Sequence, residues 1–285
     1  MNLIKFLDEF TTENLTKKGA SRRDAFSTFS SLGKKAAIAA VPFGMATLSN
    51  KAKAATMFQT DNAVGALQLA LTLEYLEADF YAKALASGVL SSNAKAEAIY
   101  QQISMHESAH VNLLKNTLES LGENPVSEPT FDFTVDGNFD PFNENNSGNE
   151  VAYAQLLILA QAFEDTGVRA YKGQAGALMG NDDLLTAALQ IHSVEARHAS
   201  EIRRLRGLEG WITLDNTGIP DLGVAAANEG VEAVYAGEEN LIQGGVDVST
   251  LGSGSPFTAE ASSQAYDEIL TGDEATAIAS LFIAS

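Results

Sequence analysis

Along four long stretches of the chain, apolar residues recur at alternating steps of four and three, the period of an amphipathic helix. From about Thr60 to Ser87, one stripe carries Leu67, Leu71, Glu74, Ala78, Tyr81 and Leu85. From about Asn93 to Leu121 the apolar positions include Ile99, Ile103, Leu113, Leu114 and Leu118. From about Asn149 to Leu178, Leu157, Gln161, Glu164, Val168 and Tyr171 repeat the spacing of the first stretch. A fourth helix is expected from about Asn181 to Gly207. Asn93 is placed to cap the second helix and Gly122 to stop it, and the fourth also begins at an Asn and ends at a Gly.

Between the second and third helices lies a segment, residues 123–148, rich in Pro, Asn, Asp, Gly and Phe. It reads as irregular and is far longer than the usual connection in a bundle. A helix as long as the second spans about 40 Å, and a connector of this length reaches about 85 Å when extended. It can therefore return the chain to the opposite end of the bundle. The predicted fold is all-α, a four-helix bundle of two antiparallel hairpins joined by one long crossover. Residues 208–285 are richer in Gly and Ser, with a broken helical signal. One helix is expected over 225–242 and two shorter ones over 261–270 and 273–283, the last with Thr271 and Glu274 as a capping box. The large apolar residues here (Tyr235, Phe257, Tyr266, Ile269, Leu281 and Phe282) are too sparse for an independent core, so this extension is expected to pack on the bundle.

Charge changes the picture in two ways. The chain carries a formal net charge of -19, which speaks against nucleic acid as a partner. The charge is also divided: residues 1–54 hold nine Lys/Arg and four Asp/Glu, whereas residues 55–285 hold nine and 33. The basic segment contains Ser21-Arg22-Arg23-Asp24-Ala25-Phe26, a mildly apolar run from Ala36 to Leu48, and Ala52-Lys53-Ala54. A basic stretch, a short apolar stretch and a small-x-small site are the parts of an export signal, and the paired arginines resemble the twin-arginine type. Residues 1–54 are therefore expected to be an export signal, residues 55–207 the bundle and residues 208–285 the extension. The expected location is periplasmic or cell-surface. No stretch approaches the length of a membrane span. The absence of cysteine excludes disulfides, thiolate metal sites and cysteine nucleophiles.

Two Glu-x-x-His motifs carry the chemistry: Glu107-Ser-Ala-His110 in the second helix and Glu195-Ala-Arg-His198 in the fourth. Residues three apart share a helix face, so each motif offers a carboxylate and an imidazole to one site. The chain has four histidines, and these motifs use two of them. The first and third helices each place a glutamate, Glu74 and Glu164, inside an apolar stripe, and each has a tyrosine seven residues later, Tyr81 and Tyr171. Buried carboxylates need a counter-charge. Two divalent cations among four glutamates and two neutral histidines would balance the charge. Glu77 also lies on the inner side of the first helix. Helical geometry permits either Glu74 or Glu77 as the ligand, and the shared tyrosine spacing favours Glu74.

Taken together, Leu73-Glu74-Tyr75-Leu76-Glu77-Ala78-Asp79-Phe80-Tyr81, Glu107-x-x-His110, Ala162-Phe163-Glu164-Asp165-Thr166-Gly167-Val168-Arg169-Ala170-Tyr171 and Glu195-x-x-His198 resemble the ferritin-like superfamily. Within it they are similar to the exported bacterial branch related to desiccation-associated proteins. The resemblance covers about residues 60–207 well and the extension loosely. It implies a ferritin-like four-helix bundle with Glu107 and Glu195 bridging two metal ions. Glu74 and Glu164 would be terminal ligands, and His110 and His198 would each bind one metal. The cofactors expected are two Fe or two Mn ions per chain, and the substrates O2 or H2O2. The candidate activities are ferrous oxidation, peroxide reduction and catalase-type disproportionation. The alternative is a non-catalytic desiccation or oxidative-stress protein in which the metal is structural. An oligomer is compatible with the sequence, and the crossover and extension disfavour a large cage.

Five further features have plainer readings. Tyr81 and Tyr171 are candidates for catalysis or electron transfer, or core tyrosines with satisfied hydroxyls. His192, three residues before Glu195, is a candidate extra ligand or ligand partner, and more plainly a helix-surface residue. His106 points about 100° away from Glu107 and is not expected to be a ligand. Asp165 and Arg169 are spaced as a local ion pair, and Arg203, Arg204 and Arg206 as charge complementing a helix C-terminus.

Overall fold

The computed structural model describes residues 62–252, 254 and 257–284. The expected export signal lies outside the described residues. Four long helices dominate: α1 (Ala63–Ala86), α2 (Ala94–Ser120), α3 (Asn149–Leu178) and α4 (Asp182–Leu205). α1 packs on α2 and α3 on α4, and α1 and α3 meet at the centre. The chain is all-α in its main body and forms the expected helical bundle.

The helix ends follow local chemistry. The side-chain oxygens of Asn62, Asn93 and Asn181 accept backbone N–H bonds from the first turns of α1, α2 and α4. Each cap of this kind contributes about 1 kcal/mol. α2 closes with Gly122 at φ +80°, where Gly122 donates to Glu119 and Glu123 to Leu118. This paired motif uses up the last carbonyls and needs a left-handed residue. α4 closes in the same way, with Gly207 donating to Arg204 and Leu208 to Arg203.

Residues 121–148 form the irregular connection, and its phenylalanines join the core. Phe131, Phe133 and Phe139 are buried. Phe133 meets Phe80 and Phe163 edge to face, with ring centroids 5.3 and 6.0 Å apart. Burial of each such ring contributes about 1.5–3 kcal/mol. The connection is thus fixed to the bundle by its own aromatic side chains.

The C-terminal extension departs from its expected elements. The helix expected over 225–242 ends early: α5 is Ala225–Tyr235, and a hairpin of β1 (Ile242–Gln243) and β2 (Val246–Asp247) follows. Gly237, at φ +89°, lies between them. The helix expected over 261–270 is the five-residue α6 (Ala259–Ser263), after which the chain runs extended. α7 (Gly272–Ser280) has the expected Thr271/Glu274 capping box. Phe257, Tyr266 and Ile269 are exposed rather than packed. The extension instead docks through Val234, Tyr235, Leu270, Ala275, Ile278 and Ala279, which pack with Leu69 and Leu73 of α1 and Ala170 of α3. Among the described residues no helix is long and apolar enough to cross a membrane.

Candidate metal centre

All four long helices send acids into the middle of the bundle. Glu74, Glu107, Glu164 and Glu195 are 0% exposed, and Glu77 is 2% exposed. His110 and His198 lie among them at 9% and 5%. The side chains form two groups, each with its ligand atoms within 4.8 Å of one another: Glu74, Glu107, His110 and Glu195, and Glu107, Glu164, Glu195 and His198. Glu107 and Glu195 belong to both groups, and Glu77 to neither.

The two tyrosines fix the relation between the hairpins. Tyr81 Oη donates to Glu164 Oε1 at 2.5 Å, and Tyr171 Oη donates to Glu74 Oε1. Each tyrosine sits seven residues, about 10 Å, beyond the glutamate of its own helix. Both crossed bonds can form together only if α1 and α3 run antiparallel. The hairpins are therefore related by an approximate two-fold axis through the cluster, and the long crossover is what returns the chain for this arrangement.

One break in this symmetry makes room for a fifth acid. Glu77 of α1 corresponds to Gly167 of α3. A Cβ at Gly167 would stand 3.0 Å from Glu195 Oε2 and 3.2 Å from Glu77 Oε1. The missing side chain leaves space that both carboxylates border.

The protons available cannot satisfy this cluster. His110 Nδ1 lies 3.1 Å from Glu74 Oε2, 3.0 Å from Glu107 Oε2 and 3.2 Å from Glu195 Oε1. A single nitrogen carries at most one proton for these three oxygens. His198 Nδ1 lies 2.9 Å from Glu107 Oε1 and 3.2 Å from Glu164 Oε2. Glu107 Oε1 and both oxygens of Glu195 are buried without a hydrogen bond. Orphan oxygens on the two shared glutamates, beside imidazole nitrogens that already face carboxylates, fit a cation held between them.

The electrostatics agree. Burial pushes the Glu74 carboxyl up to about 8, against the lowering effect of the His110 hydrogen bond. Burial and neighbouring carboxylates push Glu77 and Glu195 well above the usual range. Burial would raise Glu107 too, but the imidazoles of His110 and His198 beside its two oxygens outweigh it and bring Glu107 down to about 2. Burial would lower His198, but Glu164 and Glu107 push it up to about 11. His110 is raised by Glu107, Glu195 and Glu74 against the same burial effect. Without metal, protons supply the counter-charge, and a divalent cation would displace them.

The ferritin-like domain family matches residues 62–208. The chain belongs to the ferritin-like domain family. No curated protein matches it. The family assignment agrees with the bundle and with buried carboxylate and histidine groups able to hold a metal ion.

Several residues of the ferritin-like domain take places their sequence pattern did not reveal. His106 is in neither ligand group, yet its Nδ1 is 2.8 Å from His198 Nε2 and the two rings are nearly parallel. His192 is also in neither group and is half-buried, with Nδ1 2.9 Å from the Val168 carbonyl. Asp165 and Arg169 do not pair with each other. Asp165 holds Arg203 at 2.5 Å, and Arg169 holds Glu238 of the extension at 2.8 Å. Arg203 is therefore a buried ion-pair partner at 2% exposure, not a solvated helix-end charge. Arg206 donates to the Gln161 side chain and the Gly218 carbonyl. Local spacing could not show these partners, because each ion pair joins separate elements.

Proposed function

We propose that this protein is a dinuclear metal carboxylate protein that binds two iron or manganese ions and turns over peroxide or O2 at them. The observation that carries this reading is that Glu107 and Glu195 belong to both four-residue groups, as bridging carboxylates must. Glu74 and His110 would complete one position, and Glu164 and His198 the other. Bound metals of this kind supply redox change and Lewis acidity to oxygen-derived substrates. The tyrosines hold the terminal glutamates: each hydroxyl occupies Oε1 of the carboxylate on the opposite hairpin, which leaves Oε2 directed at the histidine side. The aromatic and aliphatic packing around α1 and α3 keeps bulk water out of the cluster.

Two balanced reactions fit this site. Two Fe(II) and one H2O2 with two protons give two Fe(III) and two water molecules. Two H2O2 give two water molecules and O2. A second reading treats the metal site as a structural staple. It is favoured by the 0% exposure of the four ligand glutamates, which leaves the histidine edges as the nearest approach to solvent. Elemental analysis of the native protein beside a Glu107→Ala/Glu195→Ala double variant tests metal binding. About two irons or manganeses per chain, lost in the variant, are expected; no uptake on reconstitution would sink both readings. Turnover of peroxide by the loaded protein then separates them. We also propose export by the basic N-terminal segment, for which the division of charge at residue 54 is the support. Recovery of the protein solely in the cytoplasm would refute it.

A further inference from the structure

The two proposed metal positions are related by the approximate two-fold axis, which matches Glu107 with Glu195 and His110 with His198. The residue before each shared glutamate breaks the match: it is His106 in α2 and Val194 in α4. The rings of His106 and His198 are nearly parallel, inclined by 12°, and meet edge to edge with centroids 5.1 Å apart. His106 Nδ1 is 2.8 Å from His198 Nε2. One turn earlier, Gln102 Nε2 is 2.6 Å from His106 Nε2, so in the metal-free protein the amide donates to His106.

The protons in this chain have one consistent arrangement when His198 is a ligand. His198 turns Nδ1 toward Glu107 and Glu164, so Nδ1 is the atom that would hold a metal there. A neutral imidazole ligating through Nδ1 carries its proton on Nε2. That proton is donated to His106 Nδ1. His106 then carries its own proton on Nε2 and donates it to Gln102, whose amide turns over to present its oxygen in place of the nitrogen. The hydrogen bonds of His110 run through Nδ1, to Glu74 and Glu107. Val194, the counterpart of His106, has no acceptor to offer His110.

We propose that His106 is a positioning residue that makes the two metal positions unequal. It fixes His198 in the Nδ1-ligating form and strengthens it as a donor, so the Glu164/His198 position takes up a divalent cation before the Glu74/His110 position. This rests on the two-metal reading above. Outer partners of metal-bound histidines are worth about 10–100-fold in metal affinity.

The test is calorimetric titration of the metal-free, full-length protein with Mn(II), for wild type, His106→Ala and His106→Asn. Asn places an oxygen close to where Nδ1 of the histidine stood, so it can accept from His198. The wild type is expected to bind in two steps separated by about 10–100-fold. Glu164→Gln should remove the tighter step and Glu74→Gln the weaker one. His106→Ala should weaken only the tighter step, by a similar factor, and His106→Asn should restore most of it. Circular dichroism establishes that each variant is folded, and His106 is at the edge of the cluster, so substitution there spares the core. Two equal steps in the wild type, or steps unchanged in His106→Ala, would overturn the inference and leave the two-metal reading standing. Loss of the tighter step in Asn as well as Ala would overturn it too, since packing rather than the hydrogen bond would then be responsible. No Mn(II) or Fe(II) uptake by the wild type would instead remove the two-metal reading itself.

Discussion

Two buried polar clusters lie side by side on α3, and neighbouring residues, Glu164 and Asp165, belong to different ones. The cluster at the bundle centre holds five glutamates and two histidines. The cluster between α3, α4 and the extension pairs Asp165 with Arg203 and Glu238 with Arg169. Tyr235 adds a hydrogen bond to Asp165 at 2.6 Å. Arg169 also donates to the carbonyls of Val234, Ala236, Glu268 and Ile269. The second cluster is neutral within the protein, with one orphan carboxylate oxygen, on Glu238; the first has three, all on the two shared glutamates. A buried cluster that balances its own charge holds structure together, whereas one with surplus acid calls for something from outside.

The largest expected effect comes from breaking the balanced cluster. Arg169→Ala would leave Glu238 as an uncompensated buried acid and strip the backbone carbonyls of their donor. Loss of one partner from a buried pair costs about 3–5 kcal/mol. Chemical denaturation should show that loss, with the extension opening first and the metal cluster, which Arg169 does not touch, still able to load. If the variant loses metal binding while the extension stays docked, the two clusters are not separate units.

Gly173→Ala attacks the same contact without touching a charge. A Cβ there would stand 1.9 Å from the Leu270 carbonyl oxygen, so the backbone of one element must move. Overpacking of this sort costs about 1–3 kcal/mol. Faster proteolysis within residues 236–271 is the expected readout, and a cleavage rate equal to wild type would show that the extension docks without this close approach.

The surplus cluster should reveal itself through pH. Glu74 is raised from 4.5 to about 8 and His198 from 6.5 to about 11. For groups raised on folding, the stability they contribute is complete below the unfolded pKa and is lost as pH rises through the folded one. Glu107, lowered to about 2, acts in the opposite sense, but only below about pH 4.5. The metal-free protein should therefore lose several degrees of melting temperature between about pH 5 and pH 9. Loaded protein should lose less or gain, because metal displaces the protons. Glu238, pushed up to about 7 by burial, adds the same sign to both forms, so the difference between them isolates the metal cluster. Parallel melting curves for the two forms would contradict the surplus-acid account.

Much of this was legible in the chain because helical period and i,i+3 spacing are local. Glu107, His110, Glu195 and His198 each declare a face through a partner three residues away, and α3 spans Asn149–Leu178, the stretch expected from its pattern. Helical geometry left Glu74 and Glu77 open, since both lie on the inner side of α1; only the tyrosine spacing favoured Glu74, and the choice depends on what α3 presents across the cluster. His106 was missed because its partner is on another helix, 92 residues away. In the extension, periodicity suggested longer helices than form, because Gly237, Gly244 and Gly245 turn the chain with positive φ. The local tendency there gives way to docking on α1 and α3.

The smallest expected effect is the sharpest probe of how the fifth acid fits. In a helix interior, Gly→Ala ordinarily gains about 1 kcal/mol. Gly176, in the last turn of α3, has nothing within 4 Å of a built Cβ, so Gly176→Ala should show part of that gain with no contact cost. At Gly167 the new methyl would press on Glu195 Oε2 at 3.0 Å and Glu77 Oε1 at 3.2 Å. Both contacts are with the ends of side chains, which can shift by a few tenths of an ångström. The helix gain and the contact cost should then nearly cancel in the metal-free protein, leaving its stability within about 1 kcal/mol of wild type. Metal binding has no such compensation, because Glu195 is shared by both positions and any shift disturbs both. A severalfold loss of Mn(II) affinity in Gly167→Ala, with Gly176→Ala unchanged, is the expected result. Equal affinities in the two variants would show that the space at Gly167 serves helix packing and not the cluster.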